Sequence, residues 1–312
     1  MWLFLAFISA ALLGLYDTSK KAALEGNAVL PVLLLNTLFS TLIFSPFIID
    51  SLTGSGWFSG SIFDSDPFAG HPETSGSAVH SIAKAHLLVI LKSCIVLTSW
   101  IFGYFGLKHL PITIVGPINA TRPILVLVGA MVIFGERLNG YQWAGVILAI
   151  ISLFLLSRSS KKENVDFTHN RWIWFIAVST ITGAISGLYD KYIMGELGPM
   201  FVQGWYNFYQ FIMMGIVILI MWLPKRKTTT PFHWSWAIPL ISIFISAADF
   251  AYLTALNQPD SMISVVSLVR RGSVIISFIC GALLFRERNL KAKALDLAFI
   301  LAGMIFIWLG SR

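Results

Sequence analysis

Ten apolar stretches, falling into two sets of five, constrain this chain more than any other feature of its 312 residues. They run near 2–23, 28–49, 82–107, 111–134, 139–157, 171–194, 199–223, 234–256, 260–285 and 291–310. A helix needs roughly 20 residues to cross a hydrocarbon core about 30 Å thick, and the intervals between charge clusters match that length. Only 12% of the residues are charged and 56% are hydrophobic, whereas a soluble domain has about a quarter charged residues. The expected fold is therefore an all-α integral membrane protein with ten transmembrane helices. The first stretch reads as a retained helix, because no basic residue precedes it, no clear small-residue cleavage site is present and it has a counterpart later in the chain. Cys94 and Cys280 both fall inside spans and read as small residues that fill space in the core.

The two sets are copies of one another. Gly14-Leu15-Tyr16-Asp17 recurs as Gly187-Leu188-Tyr189-Asp190, and after a two-residue gap Lys20, Glu25 and Asn36 fall opposite Lys191, Glu196 and Asn207. Further along, Tyr104, Pro111 and Arg122 match Tyr252, Pro259 and Arg270 at one constant offset, and Phe134-Gly135-Glu136-Arg137 matches Phe285-Arg286-Glu287-Arg288. The organisation expected is a first five-helix repeat over 1–157, a basic linker over 158–170 and a second repeat over 171–312. Each copy holds an odd number of spans, so the second enters the membrane from the opposite side and the repeat is inverted.

On these residues the chain resembles the EamA-type drug/metabolite transporter family: ten helices duplicated five by five, with an aliphatic helix running from Pro123 into Gly135-Glu136-Arg137-Leu138 and on to Gln142-Trp143-Ala144-Gly145. The second copy departs from the family pattern by placing Arg286 where the first has glycine. The resemblance implies a secondary transporter that carries a small organic metabolite through a cavity between the halves by alternating access, without an ATP-binding domain. It implies a multi-pass protein of the cytoplasmic, or inner, membrane, and it does not identify the metabolite.

Charge suggests an orientation. The loops reached after the first helix hold Lys20, Lys21, Lys108, Arg158, Lys161, Lys162, Arg171, Lys225, Arg226, Lys227, Arg286, Arg288, Lys291 and Lys293, against Lys84, Arg137, Lys191 and Arg312 on the other side. The positive-inside rule puts the richer side in the cytoplasm and both termini outside, whereas family members are more usually described with both termini inside. Segment 50–80 carries Asp50, Asp64, Asp66 and Glu73 with no Lys or Arg among many Gly and Ser residues, and reads as a flexible, acidic external loop. His71 and His80 there match no metal-binding spacing, so no metal is expected.

Ionisable side chains deep in a bilayer are costly and usually face a cavity or a partner. Lys92, Arg122, Arg270 and Arg271 are the deep cations, and Arg122 and Arg270 are repeat mates. Guanidinium groups grip carboxylate or phosphate through paired, charge-assisted hydrogen bonds, which points to an anionic or zwitterionic solute. The alternative is neutralisation inside the protein by Asp17, Asp190 or Asp249. Asp17 with Lys20 or Lys21, and Asp190 with Lys191, read as intrahelical ion pairs. Asp249 has no basic residue within one turn of its own helix, which makes it the candidate for proton coupling, with pairing to an arginine across the cavity as the competing reading.

Polar lining is expected from Asn36 and its mate Asn207, from Asn119 three residues before Arg122, and from Gln203, Tyr206 and Gln210 on one stripe; each is equally suited to linking helices. Ala10/Gly14 and Gly183/Gly187 read as close helix contacts, and Glu136 and Glu287 as structural residues at tight turns. Signatures of membrane enzymes, from His-Glu-x-x-His to Gly-x-Ser-x-Gly, are missing from the sequence, so catalysis is not expected. The expected partners are the lipid bilayer and a small-molecule substrate, with a homodimer compatible and nucleic acid not expected, and no cofactor is called for. An exporter of cationic or neutral solutes is the nearest rival function, followed by a channel or scramblase.

Overall fold

A computed structural model describes residues 1–24, 26–69, 82–109, 118, 121–158, 171–226, 228, 230–273, 276 and 290–310, without the side chains of 21, 104, 105, 107–109, 152–158, 290–297, 300 and 304. Among the described residues the regular structure is entirely helical: α1 (Trp2–Leu24), α2 (Val29–Thr53), α3 (Ile82–His109), α4 (Arg122–Ile133), α5 (Gly140–Arg158), α6 (Arg171–Met194), α7 (Pro199–Val217), α8 (Ala237–Leu256), α9 (Ile263–Arg271) and α10 (Leu290–Gly310). A five-residue π segment, Ile218–Trp222, and a 3-10 turn, Leu223–Lys225, extend α7. Six of these elements are long and apolar enough to cross a membrane: α1, α2, α3 as far as Gly103, α6, α7 with its extension, and α8. The remainder of the expected spans 111–134 and 260–285 lies mostly outside the described residues, as do Glu25, Pro111, His71, His80 and the Phe285-Arg286-Glu287-Arg288 turn.

The outer surface carries many large apolar side chains. Leu42, Leu52, Leu87, Val132, Ile220 and Trp174 are all exposed large hydrophobics. Water would penalise that surface, and lipid does not. Cys94 is on this surface too, exposed on α3. The expectation of a core residue fails there because a helix apolar on all sides gives no sequence signal for which side packs inward.

Several helix ends are fixed by side chains, one locally and two from elsewhere in the chain. Asn139 and Gln142 bond each other's backbone N–H reciprocally at the start of α5, at 3.0 and 2.9 Å. Glu136 crosses to α9, where Oε1 accepts from the Ile263 N–H at 2.6 Å and Oε2 from the Ser264 N–H at 3.2 Å and from the Ser264 hydroxyl. At the end of α8, the Lys191 ammonium donates to the Leu256 carbonyl at 3.3 Å, the Ser261 carbonyl at 2.7 Å and the Ser261 hydroxyl at 2.5 Å.

Packing follows an exchange pattern between helices before the linker and helices after it. The most extensive contacts are α1 with α8 and its counterpart α6 with α3, α2 with α7, and α5 with α10. The contact of α4 with α6 has its counterpart in α9 with α1, and α2 with α8 is matched by α7 with α3.

The described part of the acidic loop is more organised than its composition suggests. Asp50, buried at the end of α2, accepts from the Ser55 hydroxyl at 2.6 Å, the Trp57 N–H at 2.9 Å and the Ser65 hydroxyl at 2.5 Å. Phe58 meets Phe47 with centroids 4.5 Å apart, and Phe63 stacks on Phe250 of α8 at 5.5 Å. Gly198 donates to the Pro67 carbonyl at 2.8 Å. Residues 54–69 are thus a series of turns pinned to the bundle, and only 70–80 of the expected flexible loop stays outside the description.

Candidate functional site: a charged central cavity

Helices α1, α3, α4, α6, α7, α8 and α9 surround a cavity of 330 Å³. Its ionisable lining includes Lys92, Arg122, Arg270 and Arg271 against Asp190 and Asp249, four cations and two carboxylates. Tyr16, Trp100, Tyr206 and Tyr252 supply aromatic walls. The cavity shares Tyr16, Val96, Trp100, Arg122, Gly183 and Ser186 with a wider vestibule of 1090 Å³. That vestibule reaches Lys20, Leu24 and Asn27 at the end of α1 and Trp222 and Lys225 beyond α7, which is the side richer in basic residues. Toward the other side the lining runs to Leu253 and Ile263, next to the caps made by Lys191 and Glu136.

Two of the four cations are neutralised in place. Lys92 on α3 pairs with Asp190 on α6, their side chains 6% and 10% exposed, and the ammonium lies 4.9 Å from the centre of the Tyr206 ring. Tyr252 also donates to Asp190, at 3.3 Å. Arg270 bonds Asp249 at 2.6 Å, and its guanidinium covers the Tyr252 ring at 4.1 Å. A carboxylate held this way satisfies the desolvated cation, so both pairs are charge-balanced within the fold.

The other two cations have no such partner. Arg122 donates one hydrogen bond, from a terminal nitrogen to the Ser179 carbonyl at 3.2 Å, and its buried Nε has none. That same carbonyl also receives the Ser99 hydroxyl at 2.8 Å. Gly183 makes room for the guanidinium: a Cβ there would fall 2.7 Å from the Arg122 Nε and closer still to its Cζ. Arg271 forms no hydrogen bond or ion pair among the described residues; the charges acting on it are Arg122, Arg270 and Asp17, and Asp17 does not line the cavity.

Of the residues expected to bind substrate, the structure gathers Lys92, Arg122, Arg270, Arg271 and Tyr206 around the cavity, along with Asp249. It places Asn36, Asn207 and Gln210 elsewhere. The Ser242 hydroxyl of α8 donates to the Asn36 side chain at 3.0 Å, Asn207 donates to its own helix at Gln203, and Gln210 ties α7 to the Ser93 carbonyl of α3 at 2.9 Å. Asn119 lies outside the described residues. The expected Asp190–Lys191 pair is not formed: consecutive positions on a helix point about 100° apart, so Asp190 faces the cavity while Lys191 reaches the α8 terminus.

Sequence reasoning named Asp190 only as an available counter-ion, and it missed Tyr252, Tyr16, Trp100 and Ser186 as lining residues. One signal was present. The constant offset that aligns Arg122 with Arg270 also aligns Ile101 with Asp249, so the second copy carries a counter-ion where the first carries an apolar side chain. Ile101 lines the same vestibule as Arg122.

A helical bundle with an apolar exterior and a charged, open interior has the build of a multi-pass membrane protein. The sequence model of the EamA-like transporter family matches residues 1–158, just over half of the chain, and the chain belongs to this family of small-molecule membrane transporters. A solved structure described only as "Crystal structure of protein" is similar, with a TM-score of 0.70 and 14% sequence identity over 100% of this chain and 96% of that one; the likeness is one of fold. No curated protein matches.

Proposed function

We propose that the protein is a secondary carrier of a small organic anion, or of a zwitterion gripped by its anionic end, working by alternating access. The observation that carries this reading is the pair Arg122 and Arg271, which line the cavity with no carboxylate bonded to either among the described residues. Guanidinium groups in that condition accept a carboxylate or phosphate in place of lost water. The frame we assign is ten spans in two inverted five-helix repeats, and the exchange pattern of helix packing supports it. We further assign the protein to the cytoplasmic membrane with the basic side inward and the termini outside, so that the 1090 Å³ vestibule opens to the cytoplasm.

Both cavity carboxylates are engaged by cations, which leaves a cationic substrate no free partner among the described lining residues and ranks the cation exporter second. Asp249 enters the cycle through Arg270: an arriving anion competes for that guanidinium, and the carboxylate it releases is where a coupled proton would bind.

The test is thermal stabilisation of the purified protein by a panel of anionic, neutral and cationic metabolites, since a ligand bound to the folded state raises Tm by mass action. Stabilisation by anions that is lost in Arg122→Gln or Arg271→Gln is the expected result. Stabilisation by cations or neutral solutes alone would overturn the assignment.

A further inference from the structure

Resting on the anion reading, we infer that this carrier exchanges one anion for another and does not return empty. The cavity is unevenly balanced. Lys92 and Arg270 have carboxylates of their own, Asp190 and Asp249, to pair with whenever the site is empty. Arg122 and Arg271 do not; both are partly exposed, Arg122 to the vestibule of 1090 Å³ and Arg271 to the cavity of 330 Å³ that joins it, and it is through these spaces that water reaches them in the open state.

Alternating access requires the cavity to close on one side before it opens on the other. Closure removes that water. A buried ion without partner or water is strongly disfavoured, so closing around two bare guanidinium groups is slow. Closing around the same two groups with an anion between them is not. Every crossing is therefore made with an anion aboard, in both directions, and net one-way flux is suppressed. Neutralisation by a proton offers no escape, because a guanidinium is already protonated and stays so. Asp17 acts on Arg271 at longer range and leaves Arg122 uncompensated.

The experiment uses the full chain in proteoliposomes, with radiolabelled succinate, benzoate and inorganic phosphate as probes. Potassium and valinomycin on both sides clamp the membrane potential, so that charge build-up cannot limit uptake. One set of vesicles contains the same unlabelled anion; the other contains potassium dextran sulfate, a polyanion far too large for a cavity of 330 Å³. For whichever probe raises Tm, uptake into the anion-loaded vesicles should be at least about tenfold faster. Equal uptake into both sets, with the Tm shift intact, would overturn the exchange inference and leave the anion reading standing. Absence of a Tm shift with all three probes would sink both.

Discussion

Lys92 on α3 and Asp190 on α6 pair across the two halves of the chain at positions 98 residues apart, each side chain at least nine-tenths buried. Removing one member strands the other in a poorly hydrated site, at a cost of about 3–5 kcal/mol. Lys92→Met should therefore lower Tm sharply in detergent, and Lys92→Met with Asp190→Leu should recover most of the loss. Additive losses in the double variant would show that the pair is not the unit of stability.

Ile101→Asp gives Arg122 the carboxylate that its repeat mate Arg270 already has in Asp249. The internal pair would then compete with substrate for the guanidinium. We expect the Tm shift produced by anionic ligands to shrink while the ligand-free Tm changes little. An undiminished ligand shift would remove Arg122 from the binding site.

Gly183→Ala should weaken anion binding without touching a charged residue. The new methyl group would occupy the place of the Arg122 guanidinium, which is the mobile end of a long side chain and can swing away from the Ser179 carbonyl. Loss of a charge-assisted bond of this kind predicts roughly tenfold weaker binding. Ligand titration followed by calorimetry or fluorescence gives the number, and wild-type affinity would mean that the guanidinium works equally well from another position.

Glu136→Ala leaves the first two N–H groups of α9 unpaired. Loss of a helix cap costs about 0.5–2 kcal/mol, and because α9 ends in Arg270 and Arg271 the variant should lose anion-induced stabilisation as well as Tm. A fall in Tm with ligand response unchanged would make the cap purely structural.

What could be read from the sequence follows from what lipid imposes. Spans such as 171–194 were visible because a bilayer dictates helix length, and α6 runs Arg171–Met194. Lys92, Arg122, Arg270 and Arg271 stood out for the same reason, since charge in a span is too costly to be incidental. Asp190 was visible as an available carboxylate, but its pairing with Lys92 was not, because side-chain rules along one helix see only three or four residues ahead. Asn36 and Gln210 were misplaced because an amide that binds a ligand and an amide that ties two helices look alike in sequence. The turns of 54–69 escaped notice because Gly and Ser dominate their composition, while a few aromatics, Phe58 and Phe63 among them, anchor them.

The exchange pattern of packing has a consequence for how the chain must be made. The main partners of α1, α2, α3, α4 and α5 all come after residue 170, so among the described residues these five helices pack little against one another. During synthesis α1 and α3 wait in the membrane for α8 and α6, and the cavity cannot exist until α9 delivers Arg270 and Arg271. A gene cut within 159–170 should yield two fragments that are each degraded alone and that reconstitute the carrier when produced together.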